Sequence, residues 1–164
     1  MERKGSSIQV DEIINKINNM EIRESKYTDL DQIIMLQKEW AKEEITIGYV
    51  PDKKSDLEIK LGKYFFVCEL NKKIIGYVYG TVHQAKNMAV MDDEELYIEI
   101  DDLYTSLGNR GTGTGSLLLE RILRVAKDNG IERSKIYSST KDMESIIKFY
   151  KKHNYKTWYV QMFK

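Results

Sequence analysis

The sequence predicts an α/β domain. Three observations carry that prediction: strand-period and helix-period segments alternate along the chain, two β-rich runs flank a short polar turn, and a glycine-rich stretch joins a strand to a long amphipathic helix. At 164 residues a single domain is expected, large enough to bury roughly 70% of the surface its unfolded chain exposes. No low-complexity linker or internal repeat divides it.

Charge and composition exclude several classes. The chain carries 26 Lys and Arg against 26 Asp and Glu, so no bulk field favours nucleic acid or an anionic membrane, and neither is expected as a partner. The one cysteine, Cys68, lies in an apolar run. This rules out an intrachain disulfide framework, points to a reduced, cytoplasmic setting, and places Cys68 in the core. No apolar run reaches 18 residues, and residues 1–7 lack the apolar stretch of a secretory signal. No metal site is expected.

The elements follow in order. Val10, Ile13, Ile14 and Ile17 fall at helical spacing, which predicts an N-terminal helical extension over 1–20 ahead of the main domain over 21–164. A short strand is expected at 21–24. Thr28 or Asp29 is placed to cap a helix whose stripe is Ile33, Ile34, Leu36, Gln37 and Trp40. Residues 45–55, with Gly48 and the only proline, Pro51, read as a loop before a short helix near 56–61. "YFFVCEL" and "IIGYVYGTVH" around Asn71, Lys72 and Lys73 read as a hairpin.

Residues 97–105 form a further strand whose parity slips. Ile98 and Ile100 share a face, yet the next apolar residue is Leu103. Either a bulge at Asp101 and Asp102 returns Leu103 and Thr105 to that face, leaving Tyr97, Glu99 and Tyr104 on the other, or the strand ends at Ile100.

"NRGTGTGSLLLERILRVAKDNG", residues 109–130, is the most informative stretch. Leu118, Leu119, Ile122, Leu123 and Ala126 recur at helical spacing and Gly130 follows as a C-terminal cap. Gly111, Gly113 and Gly115 precede that helix, so the backbone there can turn tightly and aim successive N–H groups at an anion where the helix dipole also favours negative charge. Arg110 adds a guanidinium able to pair with phosphate oxygens. The alternative is an ordinary glycine turn beside a surface arginine. A nucleotide P-loop would need a lysine that this stretch lacks, and a dinucleotide fingerprint would need glycine where Ser116 stands.

Residues 100–120, "IDDLYTSLGNRGTGTGSLLLE", resemble motif A of the GNAT superfamily of acyl-CoA-dependent N-acetyltransferases: Arg or Gln, two residues, Gly, one residue, Gly or Ala, after a bulged strand. Arg110, Gly113 and Gly115 satisfy it. Residues 136–164 are similar to the family's strand, helix with a late tyrosine, and strand. Departures are Leu107, Asn109, Thr114, Met143 and Asn154; Met143 replaces a frequent CoA-contacting asparagine, and Asn154 can still take up a left-handed conformation.

The resemblance implies a central, mixed, mostly antiparallel sheet splayed at its middle, with helices on both faces and acetyl-CoA at the splay. It places the CoA pyrophosphate on Arg110, Gly111, Thr112, Gly113, Thr114 and Gly115 with Ser116 close by and Met143 near CoA, and the pantetheine arm along Leu103, Tyr104 and Thr105. A backbone N–H near Leu103 or Tyr104 would polarise the thioester carbonyl. Tyr150, on the buried face of its helix, is the candidate proton donor to the departing thiolate; the competing reading is a core tyrosine bonded to a backbone carbonyl. Glu99 is the candidate base, with Asp101 or Asp102 as competitors or substrate-binding groups and a water chain as a further route.

Seven carboxylates between Asp92 and Asp102, with no lysine or arginine among them, would attract a cationic amine; Asp92–Glu95 read as a solvated loop. Residues 40–56 and 84–95 are expected to wall the acceptor pocket. His83 and His153 are expected to be structural or surface residues. The expected activity is direct acetyl transfer from acetyl-CoA to a primary amine, on a small molecule or a peptide, by a monomer or homodimer; the alternative is a non-catalytic acyl-CoA-binding or sensor protein of the same fold.

Overall fold

The computed structural model describes residues 19–164. The helix expected around Val10 to Ile17 lies outside them. The strands are β1 (Met20–Glu24), β2 (Phe65–Leu70), β3 (Lys73–Gln84), β4 (Leu96–Thr105) and β5 (Arg133–Ile136); the α-helices are α1 (Leu30–Glu43), α2 (Lys54–Lys60), α3 (Thr114–Asp128) and α4 (Met143–Lys152). They form one five-stranded sheet in the order β1-β2-β3-β4-β5. The first four strands are antiparallel neighbours and β5 runs parallel to β4.

Local chemistry explains the junctions. Asn71 and Lys72 both have positive φ (50° and 64°), giving the two-residue turn whose twist matches the β2–β3 hairpin. Asp29 precedes α1 as expected but makes no side-chain cap to it. Its carboxylate instead accepts from Arg23 (2.7 and 2.9 Å) and from the Lys26 N–H (2.8 Å), tying β1 to the start of the helix; the Arg23 bonds hold it below the usual carboxylate range against the effect of burial. A charged, bidentate donor outcompetes a neutral helical N–H. Gly130 ends α3 with φ +79°, and Asn154 is left-handed after α4, φ 65°.

The sheet separates two cores. Leu30, Ile33 and Leu36 of α1 and Leu57 of α2 bury against Phe65, Val67, Ile74, Tyr77, Tyr79 and Tyr104 on one face. Leu118, Leu119, Ile122 and Ala126 of α3 bury against Phe66, Cys68, Val78, Ile98 and Ile100 on the other, with Leu103, Phe149 and Tyr150 packed against them. Cys68 is a fully buried core residue, its thiol pushed up to about 11 by burial.

The β4 strand continues past Ile100 and carries a bulge. Gly80 pairs with Ile100 but Tyr79 pairs with Asp102, leaving Asp101 as the extra residue. Leu103 returns to the face of Ile98 and Ile100, and Tyr104 joins the opposite core. Gly80 allows the close approach: a Cβ there would lie 2.5 Å from the Glu99 carbonyl oxygen.

The C-terminal strand expected by resemblance is absent. No strand is assigned beyond α4 among the described residues, and Trp158, Tyr159, Val160, Met162 and Phe163 are exposed. β-rich composition does not make a strand without an edge to pair with. No helix among the described residues is long and apolar enough to cross a membrane.

Candidate active site

Two geometric facts locate the site. The β5 strand pairs with β4 only over Tyr97–Ile100, so from Asp101 to Thr105 β4 has β3 on one side and an open edge on the other. Ser106 N–H donates to the Ile75 carbonyl (2.9 Å), and antiparallel alternation then turns Tyr104 toward β3 and the N–H groups of Leu103 and Thr105 toward the open edge. The sheet is splayed there.

The glycine turn ends beside that edge. Gly111 and Gly113 have φ of 75° and 87°, which L side chains rarely adopt. Gly113 is the N-cap of α3, and no side chain caps the helix. The N–H groups of Thr114, Gly115 and Ser116 therefore lack intrahelical acceptors by position and point along the helix axis, an arrangement suited to an anion. Thr112 steadies the turn by donating to the Asn109 carbonyl (2.7 Å) and by meeting the Thr114 hydroxyl (2.9 Å). Phe149 of α4 stands 3.6 Å from where a Gly115 Cβ would lie, so α4 crosses the start of α3. Met143 opens α4 in an exposed position.

The Arg110 side chain lies elsewhere than the free phosphate ligand the sequence reading allowed. Its guanidinium forms a fork with Glu43 of α1 (2.7 and 2.8 Å), and its Nε donates to the Thr105 carbonyl (3.0 Å). Glu43 also accepts from the Tyr104 hydroxyl (2.7 Å). Ser116 meets His153 Nε2 at 3.0 Å, and His153 Nδ1 lies 3.8 Å from Glu120. His153 thus belongs to the wall of the glycine turn, a placement its isolation in the sequence concealed.

Tyr150 is deeply set on α4, its ring edge-on to Phe149 and Tyr155. Its hydroxyl makes no hydrogen bond to any described residue, so it is not a core tyrosine satisfied by a carbonyl. Burial first, then Tyr155 and the charge of Asp102, push its phenol well above the usual value.

The three acids of β4 have separate fates. Glu99 is ion-paired with Lys135 of β5 at 2.7 Å. Burial works against the Lys135 charge, but hydrogen bonds to Glu99, Tyr137 and Tyr97 outweigh it and raise its pKa. Asp101 accepts from the Thr81 hydroxyl (2.6 Å) and faces Lys60 at 3.5 Å. Asp102 meets no cation among the described residues. It accepts from Tyr77 (3.1 Å), Tyr49 (3.3 Å) and Gln37 Nε2 (3.4 Å), and burial, helped by nearby Asp52 and opposed by the tyrosine hydroxyls, pushes it up to about 6.

Above Asp102 lies an aromatic layer. Trp40 stacks on Tyr49 (4.0 Å between ring centres) and on Tyr104 (5.2 Å), and Tyr104 neighbours Tyr77. The loop after α1 roofs it: Trp40 Nε1 donates to Thr46, and Ile45–Ile47 bridge to residues 139–141 between β5 and α4. Ile45–Ile47 of the 40–56 stretch thus close over the aromatic layer. Residues 84–95 close on themselves instead, through Ala85–Glu95 and Ala85–Glu94 backbone bonds, and Asp93 and Glu95 are used within that loop and against Arg133.

Glu43, Tyr49 and Asp52 fall within the range 40–56 expected to wall the acceptor pocket but are not singled out there, and Tyr77 is not foreseen at all, because their convergence on Asp102 and Tyr104 joins separate elements. The signal for Gln37 was present: a polar residue in the buried stripe of α1, fully buried in the structure.

Comparison with known proteins agrees with this geometry. No curated protein sequence matches the chain. Among solved structures, an aminoglycoside acetyltransferase from an uncultured soil metagenomic sample, in complex with trehalose, superposes with a TM-score of 0.68 at 19% identity, covering 90% of this chain and 96% of that one. The aminoglycoside acetyltransferase AAC(6')-Iy, in complex with a CoA-containing bisubstrate analogue, gives 0.69 at 15%, with 88% and 96% covered. A predicted acetyltransferase from Clostridium acetobutylicum, with acetyl-CoA, gives 0.67 at 18%, with 87% and 95% covered. At these identities the likeness is one of fold. The sequence profile of the acetyltransferase (GNAT) family matches residues 27–155, a span that contains the bulged strand, the glycine turn and the tyrosine helix, and the chain belongs to that family.

Proposed function

We propose that this protein is an acetyl-CoA-dependent N-acetyltransferase acting on a primary amine by direct attack. The observation that carries the reading is the position of the uncapped α3 N-terminus and its left-handed glycines beside the stretch of β4 that has lost β5. The cradle fits a pyrophosphate, and the open edge at Leu103–Thr105 fits an extended pantetheine arm paired like a short strand.

The chain's own groups then divide the work. The Leu103 N–H, directed to the open edge, stabilises negative charge developing on the thioester oxygen. Asp102 takes the proton from the incoming ammonium, a role suited to a carboxyl raised to about 6 and free of any ion pair among the described residues. It replaces Glu99 as base in this reading, because Glu99 is committed to Lys135. Tyr150, protonated at neutral pH and without a hydrogen-bond partner among the described residues, gives its proton to the departing thiolate sulfur.

A thermal-shift comparison of acetyl-CoA, CoA, ATP and NAD tests the reading. A ligand at about a hundred times its Kd stabilises by ~2.7 kcal/mol, a rise of roughly 5 to 10 °C for a chain this size. A shift with acetyl-CoA and CoA alone, followed by amine-dependent thiol release, is expected. A shift with ATP or NAD instead, or none with CoA, overturns it. Binding of CoA without turnover of any amine favours the sensor reading.

A further inference from the structure

The half-buried acids around the site are neutralised in pairs, with one exception. Glu43 has Arg110, Asp101 has Lys60 and Glu99 has Lys135. Asp52 and Asp102 have no cationic partner among the described residues, although they share a single donor: Gln37 Nε2 lies 3.0 Å from Asp52 Oδ2 and 3.4 Å from Asp102 Oδ2. Their other hydrogen bonds come from neutral hydroxyls, Tyr79 on Asp52 (2.8 Å) and Tyr77 and Tyr49 on Asp102. Two carboxylates one amide nitrogen apart, partly withdrawn from water, repel each other and call for positive charge from outside the chain.

Resting on the acetyltransferase reading above, we propose that the acceptor is a short aliphatic diamine, with one amine at Asp102 and a second ammonium held by Asp52. Charge balance requires the second cation. Once Asp102 has taken the proton of the attacking amine, that nitrogen is neutral, and a monoamine leaves Asp52 with no counter-charge. The aromatic walls favour the same ligand, since ammonium groups bind over electron-rich ring faces; the Lys60 ammonium already sits 4.7 Å from the centre of the Tyr79 ring. The reaction conserves atoms and charge: a C–N bond forms, the C–S bond breaks, and diammonium plus acetyl-CoA yields the monoacetylated ammonium, free CoA thiol and one proton.

The test compares 1,4-diaminobutane, 4-aminobutan-1-ol, butylamine and a tripeptide with a free N-terminus as acceptors for wild-type protein at saturating acetyl-CoA. The expected kcat/KM for the diamine exceeds that for the amino alcohol by about 30-fold or more, the loss typical of removing one partner of a desolvated charge pair. In Asp52→Asn, shown to be folded by a retained CoA-induced rise in Tm, that ratio falls to within about threefold, given that an amide cannot supply the counter-charge. Equal turnover of amino alcohol and diamine, preference for the peptide, or an unchanged ratio in Asp52→Asn overturns the diamine assignment while leaving acetyl transfer intact. Absence of any CoA-induced shift in wild-type protein overturns the acetyl-CoA reading itself.

Discussion

Arg110 and Glu43 are joined by two parallel hydrogen bonds, of 2.7 and 2.8 Å, that fasten the glycine turn to the last turn of α1. The same Glu43 holds the Tyr104 hydroxyl, and the same Arg110 holds the Thr105 carbonyl. One fork therefore links the glycine turn, the open edge of β4 and the helix that leads into the loop over Trp40 and Tyr104.

Arg110→Ala is expected to cost only about 1 kcal/mol of stability, the guanidinium being partly exposed and screened, yet to raise the KM for acetyl-CoA by roughly tenfold by loosening the turn. Arg110→Lys keeps the charge without the fork and should recover stability more than KM. Steady-state kinetics beside thermal melts separate the two effects.

Tyr150→Phe should lower kcat by about a hundredfold, the usual contribution of one positioned proton donor, with the CoA-induced rise in Tm preserved. Because burial holds the phenol well above its ordinary value, the wild-type rate should show no loss from Tyr150 ionisation up to pH 9. An unchanged kcat in the variant would remove Tyr150 from the chemistry.

Asp102 connects activity to pH and to stability. As a base it must be ionised, so kcat/KM should rise with pH through about 6 and level off above it. Its folded pKa stands above the usual 3.8, so the folded state binds the proton more tightly than the unfolded chain. Its favourable contribution is full below about pH 4 and is lost as pH rises through 6. Asp102→Asn should therefore abolish most turnover and raise stability at pH 7.5, by about 3 kcal/mol at most. Denaturant melts of both proteins at pH 4 and 7.5 measure the difference, which should shrink at the lower pH.

Gly113 and Gly80 are irreplaceable for different reasons. Gly113→Ala puts a side chain at φ +87° and should cost about 1 to 2 kcal/mol together with a weaker CoA-induced shift. Gly80→Ala brings a Cβ to 2.5 Å from the Glu99 carbonyl; it should destabilise the β3–β4 pair at the bulge, lower Tm more than Gly113→Ala, and impair activity by displacing Asp102.

Some of the site was legible along the chain. The slip between Ile100 and Leu103 narrowed β4 to a bulge or an end at Ile100, because side chains alternate with a period of two, and the pairing with β3 decided for the bulge. The glycine turn could be read because positive φ and a bare helix N-terminus are local properties. The final strand, expected from the resemblance, is not formed among the described residues, since pairing requires an edge that the sequence does not display.

By itself the sequence determined the β2–β3 hairpin, the glycine turn and the apolar stripes of α1 and α3, and it narrowed β4 to a bulge or an early end, all consequences of short-range periodicity and backbone sterics. Only the tertiary structure decided which carboxylate is left without a cation. Glu99, Asp101 and Asp102 lie within four residues of one another, but their ionisation and freedom depend on Lys135, Lys60, Gln37 and Asp52, brought in from β5, α2, α1 and a loop. Charge interacts through space and burial, and neither follows the chain.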